Sequence, residues 1–403
     1  MSSVDYDVII VGAGLAGAAL AAALAPLPLT VAVIEAKSIA KDWPELQDDI
    51  DGFDPRVSAI TEASRRFLEQ VGAWDSLPDA RLGAYRHMHV WDGEGTGFVD
   101  FDAMDVSELS LGNIVENRLL NAGLLKAINK ARRIDLLDNS PVSALKRSGI
   151  GPTLVMENGD TLSAQLIVAA DGAMSRIRDW AGFRTREWDY GHHALVCTVR
   201  HEQPHQATAW QRFLPTGPLA FLPLSCEADA HHYSSIVWST KPDHAAGLMA
   251  MNDGDFNTAL SEAFEYKLGA VTEASRRFSF PLRQRHAKDY VQDGLALIGD
   301  AAHSIHPLAG QGINLGFADA QALATELERA LEKSLPLGDL AVLERYQRRR
   351  KGDNLGMMAA MEGFKHLFEA PALPLRWLRN TGMHVFNKAE PLKRQIIKQA
   401  MGL

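Results

Sequence analysis

A glycine-rich segment near the start of the chain has residue types and a spacing that suit the binding of a phosphate group. In Gly12-Ala13-Gly14-Leu15-Ala16-Gly17, the first glycine permits a tight turn and the second lets backbone N–H groups approach a pyrophosphate. The third lets the following helix pack on the strand. The N-terminus of that helix would face the phosphate charge. Glu35 follows eighteen residues after Gly17, where a carboxylate can accept hydrogen bonds from ribose hydroxyls. The pattern predicts a dinucleotide without separating FAD from NAD; the alternative is a tight strand–helix turn without a ligand.

A second acidic turn favours FAD over NAD. Leu297-Ile298-Gly299-Asp300 is typical of a buried strand that delivers a carboxylate to the edge of the sheet where ligands bind. The glycine-rich run from His306 to Asn314 then opens a long helix, whose first N–H groups can stabilise negative charge. A reduced flavin is anionic at its pyrimidine end, whereas NAD dehydrogenases have no need of this element. Asp171-Gly172, after another buried strand, is a third turn of this kind but is a weak signal by itself.

The hydrophobic pattern predicts the elements that would carry these turns. Buried strands are predicted at Asp7–Val11, Leu29–Ile34, Leu162–Ala169 and Leu295–Ile298. Helices are predicted at Leu15–Leu24, Ser58–Val71, Gly312–Leu331 and Leu340–Phe368. Residues 85–101 and 193–240 alternate between polar and apolar types, which indicates antiparallel strands with one face turned to a pocket or to another layer.

Together these elements predict an α/β fold, in which a FAD-binding Rossmann-like domain is interrupted by a second domain of the α+β type. We expect the FAD-binding domain to comprise residues 1–80, 111–182 and 285–335. The inserted substrate domain, mostly antiparallel β, would comprise residues 81–110 and 183–284. A C-terminal helical region would follow over residues 336–403.

The composition is that of a soluble globular protein. The 403 residues are 46% hydrophobic and carry a net charge of −9, which gives no electrostatic support for nucleic-acid binding. Cys197 and Cys226 suit a reducing compartment, with both thiols as spectators. Because glycines, Pro26 and Pro28 break the apolar run 8–34, we expect neither a membrane span nor a secretory signal there, and a cytoplasmic location.

The C-terminal segment has a positive net charge, opposite to that of the whole chain. Residues 371–403 hold one acid, Glu390, and six basic residues: Arg376, Arg379, Lys388, Lys393, Arg394 and Lys398. Apolar residues are interleaved with them, so the segment can form a basic amphipathic helix on an anionic membrane surface. The alternative is a helix that packs on its own protein and turns a solvated basic face outward. The sequence leaves both open.

Several longer motifs resemble one known family. These motifs are Arg56-Val-Ser-Ala-Ile60, Ile114-Val-Glu-Asn-Arg118, Ala220-Phe-Leu-Pro-Leu224, Ile305-His-Pro-Leu-Ala-Gly-Gln-Gly312, Leu392-Lys-Arg-Gln395 and Ala400-Met-Gly-Leu403. They resemble the group A flavoprotein aromatic hydroxylases, the para-hydroxybenzoate hydroxylase superfamily, and within it the ubiquinone-biosynthesis ring hydroxylases. The resemblance covers nearly the whole chain and is most specific over residues 280–320.

The resemblance implies an FAD-dependent monooxygenase with NAD(P)H as a transient reductant. Reduced flavin would capture O2 as a C4a-hydroperoxide and transfer one oxygen to an aromatic ring. The substrate would be a polyprenylated ubiquinone precursor, with 2-polyprenyl-3-methyl-6-methoxy-1,4-benzoquinol as the specific expectation. The implied FAD contacts are Gly12, Ala13, Gly14, Gly17, Glu35, Arg56, Asn117, Asp171, Gly172, Asp300, Gly310, Gln311, Gly312, Ile313 and Asn314.

The flavin carries the chemistry, so candidates for catalytic side chains are few. His303, His306 and Pro307 flank the flavin loop, and a histidine there could handle protons; the alternative is a hydrogen-bonded loop histidine. Aromatic and apolar residues on the strand-rich segment could form the ring slot or plain core: Trp210, Phe213, Phe221, Leu222, Pro223 and Trp238. Arg283 and His286 are weaker candidates.

Three other functions remain open on the sequence. The chain could hydroxylate a soluble phenol, act as a flavin dehydrogenase or reductase that does not activate O2, or bind a nucleotide without catalysis. The ring position, the choice of NADH or NADPH, homo-oligomerisation, and contacts with membrane or ubiquinone-pathway proteins are also undecided by sequence.

Overall fold

In the computed structural model, a βαβ unit opens the chain and helices close it. The structure describes residues 4–40, 42–148, 151–304, 312–369 and 373–402. Its strands are β1 Tyr6–Val11, β2 Val31–Ile34, β3 Val57–Thr61, β4 Gly83–Tyr85, β5 His87–Asp92, β6 Phe98–Asp102, β7 Gly112–Glu116, β8 Ile134–Leu137, β9 Val142–Ser148, β10 Gly151–Met156, β11 Thr161–Ala169, β12 Thr185–His201, β13 Thr208–Leu214, β14 Gly217–Leu224, β15 Tyr233–Thr240, β16 Val271–Ala274, β17 Phe278–Ala287, β18 Val291–Gln292, β19 Leu295–Leu297 and β20 His303–Ser304. Its α-helices are α1 Leu15–Leu24, α2 Glu62–Gln70, α3 Asn117–Ile128, α4 Arg176–Trp180, α5 Pro242–Ala250, α6 Asp253–Ala263, α7 Gly312–Glu332, α8 Leu340–Glu369, α9 Leu373–Lys388 and α10 Glu390–Met401.

A parallel sheet, called here the Rossmann sheet, brings the three acidic or glycine-rich turns together. Strands β8, β2, β1, β11 and β19 run parallel in that spatial order. Val11 lies opposite both Ile34 and Ala169, and Ala169 lies opposite Leu297. The carboxyl ends of four strands therefore meet at one edge, where ligands bind in folds of this type. These strands are continuously apolar because helices cover the sheet.

The predicted helix Ser58–Val71 was wrong over its first four residues. Residues 57–61 form β3, which pairs with β7, and helix α2 begins at Glu62. The side chain of Thr61 caps that helix by accepting a hydrogen bond from the Ser64 N–H at 3.4 Å. Helical periodicity could not reveal the partner strand, which lies more than fifty residues further along the chain.

A second, mainly antiparallel sheet, called here the large sheet, holds the inserted segments. Its strands lie in the order β20, β17, β12, β15, β14, β13, β5 and β6, and only β13 and β5 pair in parallel. Helices α5 and α6 cover one face, on which Phe221 stacks against Phe264 with ring centroids 3.8 Å apart. Cys197 lies in the same cluster, where burial raises the pKa of its thiol to about 12. This thiol is a core group.

The small sheet β3–β7–β4 packs against the opposite face of the large sheet. Its Tyr85 and Ile114 share an apolar cluster with Leu222 and Leu224 of β14. The pairing is close, because a Cβ added to Gly83 would lie 2.3 Å from the Pro223 carbonyl oxygen. Leu222 and Phe221 therefore point to opposite faces, as neighbours on a strand must.

The C-terminal helices α8 to α10 connect the two sheets. In α9, the Asn380 Nδ2 group donates to Asp92 Oδ2 at 2.9 Å, which fixes this helix beside the large sheet. Helix α10 buries Ile397 and Met401 in the cluster under the small sheet. Within the described ranges, every helix is too short or too polar to cross a membrane.

Three buried histidines make the fold sensitive to acid. His201 ends β12, His205 lies in the loop after it, and His286 lies on β17; each is at most 4% exposed. Loss of solvation on burial lowers the pKa of each from 6.5 to about 4. The His205 ring is satisfied as the neutral form, since Nδ1 accepts from the Ala207 N–H and Nε2 donates to the Leu224 carbonyl.

We expect stability to fall as the pH drops from 6.5 toward 4. Each of these histidines binds a proton in the unfolded chain before it can do so in the folded protein, so its contribution to stability is complete above pH 6.5 and is lost progressively as the pH falls to about 4. At pH 5 each contributes a loss of roughly 2 kcal/mol. Urea unfolding of His205→Gln should show a shallower pH dependence, whereas exposed His244→Gln should keep the wild-type slope. Equal slopes in all three proteins would contradict the prediction.

Candidate active site

The turn after β1 leaves no room for side chains where it meets the sheet. Gly12 has a φ of +107°, and a Cβ there would lie 2.4 Å from the Ala170 carbonyl oxygen. A Cβ on Gly17 would lie 2.0 Å from the Gly12 carbonyl oxygen. At Gly14, the residue that precedes α1, no atom of the described residues lies within 4 Å of an added Cβ. Among those residues the backbone therefore opens onto free space at the helix start, as a bound pyrophosphate requires.

Glu35 is fixed beside this turn by two backbone hydrogen bonds. Its Oε2 accepts from the Ala13 N–H at 3.1 Å, and its Oε1 accepts from the Lys37 N–H at 3.0 Å. The carboxylate thus stands at the end of β2, next to the glycine-rich turn. Its remaining lone pairs suit the hydroxyls of a ribose.

The Asp171-Gly172 turn has a visible structural task. Asp171 Oδ2 accepts from the Arg176 and Ile177 N–H groups at 2.8 and 3.3 Å and so caps α4. Burial raises the pKa of the Asp171 carboxyl, and Oδ1 has no hydrogen-bond partner among the described residues. Buried Arg178 then ties this turn to the next, because its guanidinium donates to the Ala301 carbonyl oxygen at 3.2 Å.

The Gly299–Ala301 turn presents Asp300 at the same edge of the sheet. Gly299 takes a φ of +56°, and a Cβ there would lie 2.9 Å from the Cβ of Ala16. The Asp300 side chain is exposed, yet the protein that surrounds it raises the pKa of its carboxyl by desolvation. Both observations fit a carboxyl that lines a recess rather than a flat surface.

The first turns of helix α7 lie beside the Gly299 turn and strand β3. Asn314 anchors the helix start to β3, because its Oδ1 accepts from the Thr61 N–H at 3.2 Å and its Nδ2 donates to the Ala59 carbonyl at 2.8 Å. Gly312 and Ile313 belong to the first turn of the helix. The first N–H groups of a 21-residue helix suit the stabilisation of negative charge. The predicted residues His306, Pro307, Gly310 and Gln311 lie outside the described residues.

Arg56 and Asn117 lie side by side at the junction of β3 and β7. The Asn117 N–H donates to the Arg56 carbonyl oxygen at 3.0 Å, and the Asn117 side chain accepts from the Ser58 hydroxyl at 2.7 Å. The Arg56 side chain is exposed. Their placement beside β3, to which α7 is anchored, keeps both as candidates for flavin contacts.

A buried ion cluster that sequence reasoning missed supports this junction. Arg81, 3% exposed, pairs with Glu116 at 3.1 Å, and Glu116 also accepts from the Asp54 N–H at 2.7 Å. Asp54 in turn accepts from the Arg56 N–H at 2.9 Å, so the cluster holds the loop that carries Arg56. No spacing in the sequence connects these residues.

The predicted ring-slot residues separate into two groups. Phe221 and Trp238 are buried in the cluster beneath α5 and α6, and Trp210 packs against it. Leu222 faces the small sheet, and Phe213 packs with Val99 and Met383. Pro223 follows on β14 against Gly83. Of these residues, we therefore keep only Leu222 as a candidate for the proposed ring site.

The structure also shows where three further candidates lie: His303, His286 and Arg283. His303 is buried with Nε2 2.5 Å from Asp319 Oδ2, and His286 is buried with Nε2 2.9 Å from the Tyr290 hydroxyl. Arg283 is exposed on β17. Asp319 was not predicted, although an acid among Gly316, Ala320 and Leu323 on the buried face of a helix is a readable signal.

The recess as a whole fits FAD. It combines an open backbone turn at a helix start, a ribose-type acceptor at Glu35, a second carboxyl at Asp300 and the N-terminus of α7. Groups of histidine, cysteine and acidic residues that could hold a metal ion are absent from the part of the chain that the structure describes. The fold and the recess define a flavoprotein with a Rossmann-like FAD-binding domain.

Comparisons with known proteins narrow this class. Residues 5–352 match the family described as FAD binding domain. The chain is 38% identical to 3-demethoxyubiquinol 3-hydroxylase of Escherichia coli over the full length of both, and 37% identical to ubiquinone hydroxylase UbiL of Rhodospirillum rubrum over 98% of this chain and 89% of that one. Within the FAD-binding family, the chain belongs to the ubiquinone-biosynthesis ring hydroxylases.

A solved structure shares the fold at lower sequence identity. p-Nitrophenol 4-monooxygenase PnpA of Pseudomonas putida superimposes with a TM-score of 0.78 over 100% of this chain and 99% of that one, at 18% identity. The predicted α/β class, with a FAD-binding domain, antiparallel sheet and C-terminal helices, is therefore confirmed.

Replacing Gly14 should weaken FAD binding without unfolding the protein. Gly14→Ala meets no protein atom within 4 Å and keeps a φ of −71° that alanine adopts, but its methyl would occupy the space beside the pyrophosphate. We expect FAD to dissociate about tenfold more readily, measured as flavin fluorescence on dilution of the holoenzyme. Gly247→Ala, equally uncrowded but in α5, is the control. Unchanged FAD retention by Gly14→Ala would show that the pyrophosphate does not lie beside Gly14.

Proposed function

We propose that this chain hydroxylates 2-polyprenyl-3-methyl-6-methoxy-1,4-benzoquinol, a polyprenylated ubiquinone precursor. The observation that carries the proposal is the 38% identity, over both whole chains, to the E. coli protein named 3-demethoxyubiquinol 3-hydroxylase. That similarity extends over the large sheet and the C-terminal helices as well as the Rossmann sheet. It therefore supports a shared substrate in addition to a shared cofactor.

The residues of the recess would each hold one part of the cofactor. The Gly14 turn and the start of α1 would bind the pyrophosphate, and Glu35 the ribose. Asp300 would meet the ribityl chain, while the N-terminus of α7 would stabilise negative charge on the reduced ring system. Bound FAD, reduced by NAD(P)H, would supply activated oxygen from O2 for insertion of one atom into the substrate ring.

We place the substrate ring beside the small sheet, next to the face of the large sheet that turns away from α5 and α6. This face carries Ala220, Leu222, Ser235 and Val237, which are uncharged. An uncharged wall suits a neutral benzoquinol, because a buried carboxylate would need a cationic partner. It favours a quinone precursor over a phenol that bears a carboxylate.

Helix α10 supports peripheral contact with a membrane. The sequence left open whether this segment packs on its own protein or lies on a membrane surface, and α10 has one side suited to each. Ile397 and Met401 are buried against the protein, whereas Leu392 and Ile396 are 50% and 39% exposed on the same helix. Basic groups at exposed Arg394 and Lys398 accompany the exposed apolar residues. This arrangement suits insertion of apolar side chains between anionic lipids, from which a polyprenylated substrate could enter.

Charging the exposed face of α10 should abolish this contact. We expect the intact holoenzyme to sediment with vesicles of phosphatidylglycerol and phosphatidylethanolamine, and the Leu392→Asp plus Ile396→Asp variant to stay in the supernatant. Leu335→Asp is the matched control, because Leu335 is 37% exposed in the turn after α7. Failure of the intact protein to sediment, or equal sedimentation of both aspartate variants, would contradict a membrane role for α10.

The substrate is tested by deleting the gene in its host. We expect mass spectrometry to show a prenylated benzoquinol that lacks one ring oxygen, and the purified holoenzyme to consume O2 and NAD(P)H when this compound is added. Accumulation of a precursor lacking a different ring oxygen would assign another position. Normal quinone levels, with O2 uptake driven by a soluble phenol, would contradict the proposal.

A further inference from the structure

The carboxylate of Asp319 in α7 is completely buried and accepts hydrogen bonds on both oxygens. Oδ2 accepts from the Gly299 N–H at 3.0 Å and lies 2.5 Å from His303 Nε2. Oδ1 accepts from Arg350 Nε at 2.8 Å and from Asn354 Nδ2 at 3.3 Å. Leaving any one of these partners without the carboxylate would be costly, because a buried polar or charged group would lose its partner.

The charges around Asp319 keep it ionised. Burial by itself raises the pKa of its carboxyl, but His303 and Arg350 lower it by more, so the net shift is below the usual value. Arg350 is held in turn by the Asn354 side chain at 2.8 Å and by Asp353 at 3.0 Å. Asp319 is thus a negatively charged group that is held in one position in the core.

Two of the partners of Asp319 stand at the two ends of one turn. Gly299 begins the segment 299–303 and His303 ends it, and the exposed member between them is Asp300. Gly299 is pressed against Ala16 of α1, so the turn cannot shift toward that helix. A single carboxylate therefore sets the position and direction of the turn that presents Asp300 to the recess.

The other two partners connect Asp319 to helix α8. Arg350 and Asn354 both lie on that helix, and Asn354 Nδ2 also reaches the Tyr290 hydroxyl at 3.3 Å. Tyr290 in turn contacts His286 of β17, a strand of the large sheet. The cofactor turn, the C-terminal helices and the large sheet thus share one buried polar network.

We propose that Asp319 is a positioning residue for the FAD site: it holds both ends of the 299–303 turn and thereby places Asp300 for contact with the cofactor. The role is separate from the identity of the ring substrate. It predicts that FAD binding depends on Asp319 beyond what its contribution to overall stability explains.

The test is FAD retention by the Asp319→Asn holoenzyme. Asparagine keeps the shape but cannot accept from all four donors, so we expect FAD to dissociate about tenfold or more readily, followed as flavin fluorescence on serial dilution. Asp353→Asn is the first control, because it contacts the same Arg350 with a side chain that is 70% exposed, and it should stay within about twofold of wild type. Tyr346→Phe is the second control, because it removes another buried hydrogen bond, to the Leu297 carbonyl at 2.7 Å, outside the 299–303 turn.

The controls separate positioning from general stability. The proposal is supported if Asp319→Asn loses FAD far more than Tyr346→Phe does at a comparable drop in the unfolding midpoint. It is overturned if folded Asp319→Asn retains FAD like wild type, or if both variants lose FAD in proportion to stability. Should Asp319→Asn not fold, His303→Gln, which leaves the Gly299 contact in place, should release FAD about threefold more readily; wild-type retention there would overturn the proposal.

Discussion

Close approach of chain segments at three glycines, at the carboxyl edge of the Rossmann sheet, is the constraint on which the site depends. Gly12 meets the Ala170 backbone, Gly17 meets the Gly12 backbone, and Gly299 meets the Ala16 side chain, each at a distance that excludes an added Cβ. These approaches bring the three turns close enough to serve one elongated ligand. Polar backbone groups and the carboxyl of Asp300 therefore lie at the same edge of the sheet, where ligands bind in folds of this type.

The large sheet depends on this edge for its place in the molecule. Strand β20, directly after the Asp300 turn, pairs with β17, so the flavin turn leads straight into the sheet that we propose to face the substrate. One face of the sheet is closed by α5 and α6, and the other turns to the small sheet. A ring held against that second face would lie on the same side as β3, to which Asn314 anchors α7.

Buried ion pairs give the links between these parts a defined direction. Glu116 holds Arg81 on one side of the recess, and Asp319 holds His303 and Arg350 on the other. Hydrogen bonds to an ionised group have direction, so each cluster fixes the orientation of a turn as well as its distance. A monooxygenase needs such precision, because the cofactor and the ring must meet with water excluded.

The sequence by itself determined four of the five parallel strands, all but β8, together with the dinucleotide turn, the choice of flavin through Gly299-Asp300, and the family. These depend on local periodicity and on short glycine motifs. It did not determine which face of a strand is core, so Phe221, Trp238 and Leu222 were grouped together although their side chains point to opposite layers. It also missed β3 and the Asp319 network, whose members lie far apart along the chain. Only the tertiary structure brings such partners together, since a hydrogen bond between distant segments leaves no spacing for the sequence to show.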